Sequence, residues 1–259
     1  MFCLRADSHA AVGGGHSNAA LAESAVVGGG DANTAAAKSS VVGGGASNSA
    51  NAQGAVVSGG SRNVAAMGQS TVGGGTENTA TGYDATISGG ERNTATGYAS
   101  TVAGGTWNTA RGYHSTIGGG GWNSVEGSGY VAVIGGGEWN HVGNVYSATI
   151  GGGWSNSVMG NGGTVAGGEW NFAGGDWSSV GGGMWNSATD TIATVGGGSH
   201  NWALGRGSSV AGGESNTVAA RYVPTPKSLP QWLAWTPNAS SGGRTTCSGC
   251  CMFLALEFF

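Results

Sequence analysis

The chain has 259 residues, 56 of them Gly and four Pro, with nine Lys plus Arg against thirteen Asp plus Glu for a net charge of -4. There is no basic run to neutralise phosphates, so neither nucleic acid nor an anionic membrane is an expected partner. No stretch approaches the roughly 20 apolar residues of a membrane-spanning helix, and the glycines lack the every-third-residue spacing of a collagen triple helix.

In chain order, residues 1–10 form a lead-in without the apolar core of a secretion signal. From residue 11 to 221 a 15-residue unit recurs fourteen times. An aliphatic column runs Val12, Val27, Val42, Val57, Val72, Ile87, Val102, Ile117, Ile134, Ile150, Val165, Val180, Val195 and Val210. Six residues after each stands Asn, from Asn18 to Asn216, and the step departs from 15 only at 17 (Asn123 to Asn140) and 16 (Asn140 to Asn156). A unit this short cannot bury an apolar face without stacked neighbours, so each copy is one rung of a solenoid. Residues 222–259 lose the period, carry Pro224, Pro226, Pro230 and Pro237, and are expected to form an irregular tail. Its Cys247, Cys250 and Cys251 lack the fourth ligand of a zinc site, so no metal or other cofactor is expected.

Within a rung, the Val/Ile column and the Ala/Val column two residues after Asn are always apolar and predict two short strands facing a thin core. The position two before Val/Ile holds only Ala, Ser or Gly on that same face. The glycines two and three places after Val/Ile predict a corner with positive φ or very close backbones. A further Gly four after Asn, present in half of the rungs, marks the opposite corner. The invariant Asn reads as an amide ladder inside a turn. The expected fold is therefore all-β: a single-chain parallel β-solenoid of about 14 coils, roughly 65 Å long at about 4.8 Å per rung.

Two columns stand out as candidate surfaces. The residue before Val/Ile is never charged and comprises Val26, Val41, Val56, Thr71, Thr86, Thr101, Thr116, Val133, Thr149, Thr164 and Thr194, with Ala11, Ser179 and Ser209. It reads as a stripe that meets another subunit, or ordered water and ice. The residue before Asn is Trp107, Trp122, Trp139, Trp170 and Trp185, with Ser155 interrupting and Trp154 one place over. Stacked indoles there suit sugar rings or a protein partner, and a self-stacking ladder that shields the turn is the competing reading. Tyr83, Tyr98 and Tyr113 form a shorter column at the other corner. The five His occupy different columns and the carboxylates share a column only at intervals, so no catalytic set converges and no enzyme is expected.

The unit Ser100 to Tyr113, Ser-Thr-Val-Ala-Gly-Gly-Thr-Trp-Asn-Thr-Ala-Arg-Gly-Tyr, resembles the YadA-like head repeat of trimeric autotransporter adhesins, over about residues 10 to 220. The resemblance implies a left-handed β-roll assembled as a homotrimer, the extracellular or cell-surface binding head of a fibre with protein or glycan ligands. Asn78 to Gly82 together with Ser70 to Gly74 is also similar to the Asn-x-Val-x-Gly repeats of grass ice-recrystallisation-inhibition proteins, which are β-rolls with a flat ice-binding face. The regular Thr run covers only Thr71, Thr86, Thr101 and Thr116 and is one column wide, so weak thermal hysteresis at most is expected.

Overall fold

The computed structural model of the chain describes residues 4–5, 8–127, 130–219 and 246–247. Every regular element among them is a two-residue β-strand, and none is a helix able to cross a membrane. One rung shows the plan. Thr101–Val102 belongs to one sheet and Thr109–Ala110 to the other. Thr101 pairs in parallel with Thr86 and Thr116, while Thr109 pairs with Thr94 and Ser124. Repeating this pairing builds a 14-stranded and a 16-stranded parallel sheet wound as one solenoid. The larger sheet gains its extra strands from Leu4–Arg5, laid on Ala19–Ala20, and from Thr246–Cys247, laid on Thr217–Val218. The rest of the expected tail lies outside the described residues.

The alternation of a period-two strand decides what is buried. Val102 and Ala110 are fully enclosed while Thr101 and Thr109 are half-buried. The column two before Val/Ile is buried as well, from Ala10 through Ser100 to Ser208. Ser40, Ser70, Ser100 and Ser115 in that column satisfy their hydroxyls by donating to the carbonyl three residues back, as Ser70 does to Met67 (2.6 Å) and Ser115 to Gly112 (2.7 Å), while Ser208 Oγ accepts the Gly205 amide (3.2 Å). Ser178 Oγ is the one buried side-chain polar atom without a partner among the described residues. The interior is thus a narrow seam whose largest members are Ile87, Ile117, Ile134 and Ile150.

The asparagine ladder is built mostly through the backbone. Asn108 donates from Nδ2 to the carbonyls of Gly104 (3.0 Å) and Gly120 (2.9 Å), and its Oδ1 accepts the Asn123 amide (3.1 Å). Each amide therefore closes its own corner and clamps the next rung. Direct side-chain bonds between successive asparagines occur in only some rungs, such as Asn123 Nδ2 to Asn108 Oδ1 (3.1 Å).

Both departures from the 15-residue step fall in the same corner, after the second strand. Tyr113 follows Ala110 by three residues, whereas Tyr130 follows Val125 by five and Tyr146 follows Val142 by four. Sheet register passes through unchanged: Thr116 pairs with Val133, and His141 with Ser157. The single extra residue is absorbed by a tight turn in which Val145 donates to the Gly143 carbonyl (2.9 Å) and tucks its side chain inward, 7% exposed.

Candidate functional site

The residue before Asn adopts the left-handed conformation in all fourteen rungs, with φ between 52° and 60°. That region costs an L-residue about 1 kcal/mol and favours Gly, Asn or Asp, yet none of the three occurs in the column. Five of its six members from Trp107 to Trp185 are Trp. A ring stack offsets the backbone cost, since an aromatic pair contributes about 0.5–1.5 kcal/mol beyond its buried area.

The rings do stack. Trp107 and Trp122 lie 4.8 Å apart at an interplanar angle of 5°, Trp122 and Trp139 4.9 Å apart at 1°, and Trp170 and Trp185 4.9 Å apart at 9°. Trp154, from the neighbouring column, stands at 90° to Trp170 with centroids 4.9 Å apart. Inside such a stack both ring faces are covered, so a ligand meets indole edges along the row and a ring face only at an end. All five indoles remain exposed at the corner.

Upstream, the same column carries charge. Arg62 pairs with Glu77 (3.0 Å), Arg92 Nε donates to Glu77 (2.6 Å), and Arg92 Cζ sits 4.8 Å over the Trp107 ring. The Arg92 hydrogen bond holds the Glu77 carboxyl below its ordinary value, burial works against this, and the charges of Arg62 and Arg92 add to it. Alternating sign is what in-register stacking demands, because like charges one rung apart repel. Lys38 over Glu23 (2.8 Å) repeats the device at the other corner.

The tyrosine column is longer than the constant step reveals. Tyr98, Tyr113, Tyr130 and Tyr146 form a continuous row with centroid spacings of 6.2, 5.1 and 5.7 Å. Tyr130 and Tyr146 are displaced in sequence by the two insertions, which hides them from a 15-residue alignment; the signal that recovers them is their place beside those insertions. Trp177 and Ile192, exposed at that same corner, also have left-handed backbones, with φ of 58° and 60°.

The stripe before Val/Ile lies on the outer side of its sheet and is half-buried from Val26 to Thr194. Freedom from Lys, Arg, Asp and Glu is not peculiar to it. The outward column of the other sheet, Ala19 to Thr217, also lacks them, and size separates the two faces. The stripe holds nothing larger than Val or Thr, whereas the opposite column carries His141, Phe172 and Trp202. Thr71, Thr86, Thr101 and Thr116 pair directly in register before Val133 ends their run. Among the described residues no three His, Cys, Asp or Glu side chains gather in a metal-binding arrangement. Compared with models of protein families and with curated proteins, the chain matches none.

Proposed function

We propose that this protein is a non-enzymatic binding rod, an adhesin-like head that works outside the cell or at its surface as a homotrimer and engages protein or glycan partners through its tryptophan corner. The observation that carries this reading is the occupation of a left-handed backbone position by Trp107, Trp122, Trp139, Trp170 and Trp185. A column selected for backbone comfort would hold Gly or Asn; this one holds the bulkiest side chain available and leaves it exposed. Support for assembly comes from the smooth face of Val, Thr, Ser and Ala, which presents no charge and no protruding side chain to a second copy along the rod.

The test is the double substitution Trp122→Ser and Trp139→Ser. Ser17, Ser47, Ser155 and Ser215 already occupy the column in the same conformation, so the backbone accepts the change. The variant should keep the β-sheet circular dichroism and, by light scattering, the mass of three chains. Its melting temperature should fall by only a few degrees, and its binding to immobilised glycans and matrix proteins should drop sharply. An unfolded or dissociated variant would make the row a structural ladder and remove the functional assignment.

A further inference from the structure

The tryptophan column is broken at one rung, and its two ends are treated differently. The upstream end of the Trp107, Trp122, Trp139 stack is closed by the Arg92 guanidinium lying 4.8 Å over Trp107. Glu77 accepts from Arg92 Nε (2.6 Å), and Glu91, in the adjacent column, sits 3.3 Å from Nη1. At the downstream end the next member is Ser155, too small to cover an indole. Trp139 is the most exposed of the three rings, at 51% against 41% and 44%. Trp154 stands perpendicular to Trp170, with centroids 4.9 Å apart, and among the described residues it makes no ring contact with Trp139. Flanking Trp154 in its own column are Glu138 and Glu169, tied to it rung by rung through backbone bridges. Both are exposed, and neither has an ion-pair partner among the described residues. They stand in the same column as Glu91, whose carboxylate reaches the cation that caps Trp107.

We propose that the Ser155 rung is a docking site for an arginine side chain of a partner protein. The incoming guanidinium stacks on the open face of Trp139 and pairs with Glu138 and Glu169, as Arg92 does on Trp107 with Glu77 and Glu91. A planar, weakly hydrated guanidinium fits a ring face better than a compact ammonium does. The site rests on the reading of the tryptophan corner as the binding surface and supplies the chemistry of one of its ligands.

The experiment titrates a fluorescein-labelled tetra-arginine peptide into the full chain at low salt and follows anisotropy, with the isosteric uncharged tetra-citrulline peptide as control. Arginine should bind at least tenfold more tightly than citrulline. Ser155→Arg puts an internal guanidinium where Arg62 and Arg92 already show that the left-handed backbone accepts one; it should weaken peptide binding at least fivefold while keeping or raising the melting temperature. Glu138→Gln with Glu169→Gln should weaken it similarly, and probes the same contact should Ser155→Arg fail to fold. Asp84→Asn, the loss of one carboxylate at the opposite corner, should leave binding unchanged. Equal affinity for the two peptides, or wild-type affinity in both the Ser155→Arg and the Glu138/Glu169 proteins, would overturn the proposal. If that happens while Trp122→Ser with Trp139→Ser still abolishes glycan or matrix binding, the cation site alone falls and the corner keeps its function.

Discussion

Gly89 and Gly90 are neighbours with opposite demands. A Cβ on Gly89 would meet nothing within 4 Å, whereas Gly90 has φ of +92° and a Cβ there would lie 2.7 Å from Asn93 Nδ2 and inside the radius of the Gly105 carbonyl. Gly90→Ala should therefore cost more than about 2 kcal/mol, and Gly89→Ala should stay within about 0.5 kcal/mol of wild type. Urea denaturation of the two variants decides it, and comparable losses would mean that the corner relaxes around either methyl. The sequence reveals a pair of glycines in every rung but does not say which one is indispensable. That depends on the approach of the next coil and on the reach of its Asn. The left-handed backbone under the tryptophans was hidden for a related reason. Residues that occupy αL usually announce themselves as Gly, Asn or Asp, and here side-chain stacking overrides that preference.

At the level of a column, in-register pairing multiplies whatever each residue does. One rung's Thr101 faces Thr86 and Thr116, so any property of a position repeats about every 4.8 Å along the rod. Charges survive this only by alternating, and the Arg62, Glu77, Arg92 ladder gives the pH dependence a definite sign. Hydrogen bonding from Arg92 lowers the folded-state value of the Glu77 carboxyl. Its stabilising contribution is therefore complete above the ordinary glutamate value and disappears as pH falls through the lowered one. The melting-temperature gap between wild type and Glu77→Gln should be widest near neutral pH, close as pH falls below the ordinary glutamate value, and shrink in high salt because the half-buried carboxylate and its two arginines still reach solvent. A gap that widens on acidification would mean that Glu77 acts through something other than its charge. The columns themselves were legible in the sequence, since constant spacing and alternating burial suffice to place both strands. What spacing cannot show is how the rings meet. The near-parallel Trp122 and Trp139, the perpendicular Trp154, and the continuation of the tyrosine row through Tyr130 and Tyr146 all depend on how the corner absorbs its insertions.

Across the whole molecule each rung touches only the rungs beside it, so stability is a sum of rung and interface contributions along one dimension. The same backbone clamp should then have consequences set by position. Asn33 and Asn108 share that clamp: each is fully buried, and each Nδ2 donates to the Gly four residues back and to the Gly of the next rung, at 2.8–3.0 Å, while Asn108 adds side-chain bonds to Asn93 and Asn123. Replacing either with Ala orphans buried carbonyls and the next rung's amide, a local cost of about 1–3 kcal/mol for each group left unpaired. At Asn108 the rod can avoid that cost only by opening its middle, which severs two long stacks, so the main thermal transition should move down by several degrees. At Asn33 it can shed the rungs around Val12 and Val27 and keep the rest intact. The main transition should then stay near wild type while the amides of residues 11–35 lose hydrogen-exchange protection. Equal shifts for Asn33→Ala and Asn108→Ala, with protection lost uniformly along the chain, would show that all fourteen rungs melt as one cooperative unit. Such coupling would come from contacts beyond neighbouring rungs, and the lateral packing of three copies along the smooth Val/Thr face is the arrangement able to supply it.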